Sequence, residues 1–79
     1  MKHASLKTSP RLQRLLRTLQ RAKKPLSTRE LRERAQVEAT TAAISELRAN
    51  GARIDCQAKV NERGQRLYYY TLIRSPKET

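Results

Sequence analysis

The spacing of the apolar residues changes at Asn50-Gly51, and that change restricts the chain to a mixed α+β fold. Before Gly51, apolar residues recur at intervals of three and four positions, which is typical of amphipathic helices. After it, apolar and polar residues alternate, which is typical of a half-buried strand. The alternating apolar residues are Ile54, Cys56, Ala58 and Val60. We therefore expect helices first and a β-hairpin after them, packed as one α+β core.

A first helix is predicted from Ser9-Pro10 to Ala22. Ser9 is a suitable N-cap, and Pro10 suits the first helical position because the N–H that it lacks would have no partner there. Lys23-Lys24-Pro25 predicts the end of the helix, because the residue before a proline is disfavoured in the helical conformation. One face of the helix is apolar and carries Leu12, Leu15, Leu16 and Leu19.

Two shorter helices are predicted before Gly51. Ser27-Thr28-Arg29-Glu30 matches the capping box, in which the serine and glutamate side chains satisfy each other's backbone N–H groups. A third helix is expected to begin at Thr40 or Thr41 and to end at Asn50, with Gly51 supplying a positive φ. The residues expected to face inward from these two helices are Leu31, Ala35, Ile44 and Leu47.

The predicted hairpin has a loop at Asn61–Gln65 and a returning strand at Leu67–Ile73. Tyr70 and Leu72 are expected in the core, since the chain has no Phe or Trp to fill it. Cys56 is expected to be a small core residue. We also expect residues 1–8 to be a flexible basic arm, 9–74 the folded domain and 75–79 a disordered tail. A domain of this size buries only about 60% of its unfolded surface, so no cleft for a small-molecule substrate is expected.

The charge of the chain points to a polyanionic partner. Lys and Arg number 18 against 7 acidic residues, which gives a net charge of +11. Residues 1–37 hold 11 of the basic and only 2 of the acidic side chains. An excess of this size repels itself, and it is typical of domains that bind nucleic acid. The alternative is a basic surface that is simply solvated.

Two segments resemble the winged helix-turn-helix superfamily, and most closely its small phage and prophage-type members. They are ISELRANGARIDCQ, from Ile44 to Gln57, and YYYTL, from Tyr68 to Leu72. The resemblance covers roughly residues 10–73 and implies a third helix that enters the major groove, with the hairpin as a wing over an adjacent groove or backbone. The turn Ala35-Gln36-Val37 departs from the motif, which usually has a small residue, often glycine, at this point.

The third helix contains the candidates for reading DNA bases. With Ile44 and Leu47 turned inward, its outer face is mostly short side chains, which suits close approach to the floor of the major groove. Arg48 is the one long donor on this face and is able to bind guanine or a phosphate. The base-reading candidates are Thr41, Ala42, Ser45 and Arg48.

Basic residues elsewhere are candidates for contacts with the DNA backbone, which dominate affinity. Those at the start of the second helix and around the hairpin loop are Arg29, Arg32, Lys59, Arg63 and Arg66. A further stripe on the first helix comprises Arg14, Arg17 and Arg21. That stripe has three interpretations: DNA contact, a solvated face, or a docking site for an acidic protein.

The sequence therefore predicts a double-stranded DNA-binding protein, either a phage-type transcriptional regulator or an excisionase-like architectural factor. It would act in the cytoplasm of a bacterial or phage-infected cell, as a monomer or as a dimer formed on DNA. One alternative is a protein-interaction module or inhibitor that docks the basic face of its first helix on an acidic partner. Another is a binder of single strands or RNA that stacks bases on Tyr68, Tyr69 and Tyr70.

An enzymatic role is not expected, because the chain lacks the usual catalytic residues. The sole histidine is His3, and no Gly-rich phosphate loop or Ser/His/Asp set is present. The single cysteine, Cys56, cannot form a disulfide within the chain or build a thiolate metal site. We expect no cofactor, no metal, no signal peptide and no membrane span.

Overall fold

A computed structural model describes residues 6–76 of the chain, except for the side chain of Lys7. It contains three α-helices and one three-stranded antiparallel sheet with the strand order β1-β3-β2. The elements are a 3₁₀ turn (Leu6–Thr8), α1 (Pro10–Arg21), β1 (Leu26–Ser27), α2 (Thr28–Ala35), α3 (Thr40–Ala49), β2 (Arg53–Val60) and β3 (Arg66–Arg74). The prediction of an α+β fold is confirmed.

The helix ends follow the capping residues that the sequence contains. The Ser9 hydroxyl accepts a hydrogen bond from the Leu12 N–H at 3.3 Å, at the start of α1. At the start of α2, the Ser27 hydroxyl accepts from the Glu30 N–H, and the Glu30 carboxylate accepts from the Ser27 N–H, both at 3.1 Å. Gly51, just beyond α3, has a φ of 105°. The predicted capping box and the glycine stop are confirmed.

The core lies between the three helices and one face of the sheet. Ile44 and Leu47 are buried as predicted, and Tyr70 is 7% exposed. Leu72 packs against the same core while remaining partly exposed. The buried apolar residues are Leu12, Leu15, Leu19, Leu26, Leu31, Ala35, Val37, Ala43, Ile44, Leu47, Ala52, Ile54 and Tyr70.

The short strand β1 was not predicted. Leu26 pairs with Tyr70 and Ser27 with Tyr69, so β1 covers only the middle of β3. Two residues are too few to show an alternating pattern, and their pairing depends on distant residues of β3. The pairing holds the start of α2 beside β3. Residues 66–68 of β3 have no pairing with β1.

The predicted half-burial of β2 is wrong for most of the strand. Ile54 is buried, but Cys56, Ala58 and Val60 are exposed, Val60 by 64%. The reason is the length of the β2–β3 hairpin, which stays paired as far as Val60 and Arg66 while the helices cover only its base. The protein is accordingly elongated, with extents of 43 × 22 × 22 Å.

The packed region extends beyond the predicted domain limits at both ends. Leu6 packs against the core, and its N–H donates to the Asn50 side-chain oxygen at 3.2 Å. At the other end, the Ser75 hydroxyl pairs with the Gln20 amide at 3.1 Å, and Pro76 is buried. The remaining parts of the predicted arm and tail, residues 1–5 and 77–79, lie outside the described residues.

Candidate nucleic-acid interface

The outer face of α3 is formed mostly by short side chains. Thr40, Ala43, Ile44 and Leu47 are buried, and the Thr40 hydroxyl donates to the Val37 carbonyl at 3.3 Å. This leaves the other side of the helix exposed to solvent. All four predicted base-reading residues are exposed there: Thr41, Ala42, Ser45 and Arg48.

A cleft of about 820 Å³ lies between helices α2 and α3 on one side and the β2–β3 hairpin on the other. Its walls come from the end of β1, from α2, from the first turn of α3 and from the β2–β3 loop with the first half of β3. An open cleft of this size was not expected from the length of the chain. It arises because the hairpin projects past the helices while β1 holds the start of α2 beside β3. The residues that line it are Ser27, Thr28, Arg29, Arg32, Glu33, Thr41, Asn61, Gln65, Arg66, Leu67, Tyr68 and Tyr70.

The cleft carries an excess of positive charge, because its charged residues are three arginines and one glutamate. The glutamate, Glu33, forms an ion pair with Arg29 at 3.3 Å, and both side chains are largely exposed. An exposed pair of this kind contributes little stability, so an incoming anion is able to displace the carboxylate. Arg32 and Arg66 form no ion pair with the described residues. The cleft therefore offers three guanidinium groups to an anion.

Arg48 lies on the predicted face of α3, but its guanidinium is engaged. Its Nη2 donates to the Ile54 carbonyl at 2.7 Å, which ties α3 to β2. To read a base, Arg48 would have to exchange this contact for one with DNA. Its role in base reading stays a prediction.

The three arginines of the stripe on α1 differ in their contacts. Arg14 donates to the Ala35 carbonyl at 3.0 Å and to the Gln36 carbonyl at 3.4 Å, so it caps the C-terminal end of α2. Sequence periodicity placed Arg14 on the outer face but could not show that α2 ends beneath it. Arg17 and Arg21 are exposed, with no ion pair to the described residues. Among the described residues, none of α1 lines the cleft.

The basic residues of the hairpin occupy its distal half. The Lys59 ammonium lies 5.3 Å from the centre of the Tyr69 ring, a cation–π contact. Arg63 lies exposed in the loop after β2. That loop is ordered by Asn61, whose side-chain oxygen accepts from the N–H groups of Arg63 and Gln65 at 2.9 Å each. The sequence analysis placed Asn61 in this loop but did not identify the ordering role of its side chain, although asparagine is typical of such turns.

The three tyrosines do not form one stacking surface. Tyr70 is buried, Tyr69 is half-buried on the opposite face of the strand, and Tyr68 is 43% exposed. Tyr68 also lines the cleft, a position that the sequence analysis did not assign to it. Tyr70 borders the cleft as well but is almost fully buried, so the structure offers one exposed ring beside the arginines rather than a row of rings.

Among residues 6–76, no three His, Cys, Asp or Glu side chains lie close enough together to hold a metal ion. Within the same part of the chain, every helix is too short or too polar to cross a membrane.

Comparisons with models of protein families, with curated proteins and with solved structures gave no significant match.

Proposed function

We propose that this chain is a winged-helix protein that binds double-stranded DNA. In this proposal α3 enters the major groove, and the β2–β3 hairpin lies along the adjacent backbone or minor groove. The supporting observation is the cleft, which brings Arg29, Arg32 and Arg66 together beside Thr41, at the start of α3. These four residues were selected from the sequence as DNA contacts, and they come from three separate elements.

The outer face of α3 suits close contact with base edges. The major groove of B-DNA is about 12 Å wide and accommodates one α-helix. Short side chains at Thr41, Ala42 and Ser45 let the helix backbone approach the floor of the groove. The threonine and serine hydroxyls then serve as donors or acceptors, and the alanine methyl as a contact for thymine.

The cleft beside α3 suits the sugar–phosphate backbone at the edge of the same groove. Arg29, Arg32 and Arg66 would neutralise phosphates there and release condensed counterions. Arg63, at the end of the hairpin, would reach the next groove, and Lys59 would follow the backbone between them. Such contacts position the protein, while the base contacts of α3 give specificity. The proposal covers both a transcriptional regulator and an excisionase-like factor.

A docking site for an acidic protein remains the second candidate, because Arg17 and Arg21 are exposed and have no ion pair within the described residues. This surface belongs to α1 and is separate from the cleft. The two candidates therefore predict effects from different arginines.

A salt titration of duplex binding tests the proposal. Fluorescence anisotropy would give Kd for a labelled duplex over a range of salt concentrations, for the wild-type protein and for two double variants. Arg29→Gln with Arg32→Gln should reduce the steepness of log K against log salt by about 1.8, since each neutralised phosphate contributes about 0.9.

Arg17→Gln with Arg21→Gln is the matched control, because it also removes two positive charges from an exposed helix face. It should leave the slope nearly unchanged. Equal effects of the two double variants would remove the cleft from the proposal, and a failure to bind duplex at low salt would refute DNA binding. Loss of binding to an acidic protein in the α1 variant alone would favour the second candidate.

A further inference from the structure

The strand β2 lies at an edge of the sheet, because the order is β1-β3-β2. It is 8 residues long and contains no proline. Its ladder with β3 is regular except for one irregularity between Arg53 and Ile54. A long, regular and exposed edge strand is a template for pairing with another strand.

The hydrogen bonds of the hairpin show which backbone groups of β2 are available. The Asn61 N–H donates to the Gln65 carbonyl, in line with the ladder, so the groups of Asn61 point towards β3. Because backbone groups of alternate residues point to opposite sides of an antiparallel strand, those of Cys56, Ala58 and Val60 point outward. The outward carbonyl of Ile54 accepts from Arg48, which agrees with this assignment and covers that end of the edge.

The side chains of β2 favour one particular pairing, with a second copy of the same strand. Two copies related by a two-fold axis pair antiparallel, and centring the axis on Gln57 places Asp55 of each copy opposite Lys59 of the other. Two opposite-charge pairs form in this way. The same register places Cys56 opposite Ala58, so that the outward-pointing backbone groups meet.

The neighbouring registers are less favourable. Centring the axis on Asp55 or on Lys59 brings like charges together, and centring it on Cys56 places Arg53 opposite Lys59. Centring it on Ala58 forms no opposite-charge pair. Centring it on Ile54 would place Arg53 opposite Asp55, but there the Ile54 carbonyl already accepts from Arg48 and the ladder is irregular. The register centred on Gln57 is therefore the one that combines free backbone groups with charge complementarity.

We propose that a second copy of this chain docks along the free edge of β2, centred on Gln57, to form a continuous six-stranded sheet. Cys56 and Ala58 of the two copies supply the backbone hydrogen bonds, and Asp55 and Lys59 supply the ion pairs. The contact is narrow and the net charge of +11 opposes association, so the dimer is weak. This inference does not depend on DNA binding and is tested without nucleic acid.

Disulfide trapping tests the register. In a Cys56→Ser background, Gln57→Cys places the two thiols opposite each other, with the Cα atoms about 4.5 Å apart, within the range for a disulfide. Asp55→Cys and Lys59→Cys are the controls, since each residue lies four positions from its own copy, about 14 Å away. The Gln57→Cys protein should form the covalent dimer much faster than either control. An equal or slower rate would overturn the proposal.

Charge reversal tests the ion pairs and separates them from the overall repulsion. Sedimentation equilibrium should show about tenfold weaker dimerisation for Asp55→Lys and also for Lys59→Asp, because each creates two like-charge pairs. The net charge alone predicts the opposite for Lys59→Asp, which makes the protein less positive. The double variant should restore the wild-type association. Stronger association of the Lys59→Asp variant, or no restoration in the double variant, would contradict the proposed pairing. Thermal unfolding of each variant checks that its fold is intact.

Discussion

Replacing Gln36 with glycine should stabilise the fold, because Gln36 occupies a backbone conformation that disfavours side chains. It ends α2 with φ 55° and ψ 49°, in the left-handed region. This conformation costs an L-residue about 1–2 kcal/mol relative to the right-handed one. Glycine avoids that cost but loses about 0.5–1 kcal/mol through the greater freedom of the unfolded chain. The expected gain in the free energy of unfolding is about 0.5–1 kcal/mol.

The substitution should leave the other contacts of the turn in place. The Gln36 side chain is exposed, and Arg14 binds its backbone carbonyl, which glycine retains. For a domain of this size, 1 kcal/mol changes Tm by about 4–8 °C, so Tm should rise by about 2–8 °C. Thermal and urea unfolding followed by circular dichroism would measure the change. Gln36→Ala is the control, because it keeps the Cβ atom and should stay close to wild type. If the glycine variant were no more stable than the alanine variant, the left-handed conformation of Gln36 would not be a source of strain.

Two further predictions concern the ends of α2. Arg14→Ala should lower the free energy of unfolding by about 1 kcal/mol, because it removes the donor to the Ala35 carbonyl. The matched change Arg17→Ala should have an effect below about 0.5 kcal/mol. Equal effects of the two changes in urea unfolding would contradict the role of Arg14 as a cap of α2. The hydrogen bond from the Ser27 backbone N–H is the main cause that lowers the pKa of Glu30 in the folded protein. The carboxylate therefore stabilises the fold fully above its unfolded pKa, near 4.5, and this contribution is lost as the pH falls through the lower pKa of the folded state. Glu30→Gln keeps the capping box and should remove this part of the destabilisation by acid. If the difference in free energy of unfolding between the variant and the wild type stayed the same from neutral to acid pH, this prediction would be contradicted.

The sequence was sufficient where local chemistry decides the structure. Ser9-Pro10, the capping box at Ser27 and the glycine after Asn50 each set a helix end by contacts within a few residues. The change of apolar spacing at Gly51 predicted the hairpin, because the period of a strand is also set by residues that are close in the sequence. The exposed outer face of α3 followed once Ile44 and Leu47 were assigned to the core.

Features that depend on distant residues were not predictable in this way. The pairing of β1 with Tyr70 and the attachment of Leu6 to Asn50 join residues far apart in the sequence. The exposure of Cys56 depends on how far the helices extend along the hairpin, which an alternating pattern does not report. The same is true of the candidate site, where the contact between Arg48 and Ile54 and the grouping of cleft residues appear only in three dimensions.

An NMR titration would show whether duplex DNA binds to α3 and the adjoining cleft, as proposed. A duplex selected from a random pool would be added to ¹⁵N-labelled protein at physiological ionic strength. The backbone amide signals of Thr41, Ser45, Arg29 and Arg66 should shift most, together with those of the hairpin loop, while those around Arg17 on α1 should stay nearly constant. Shifts confined to α1, or none anywhere, would contradict the account.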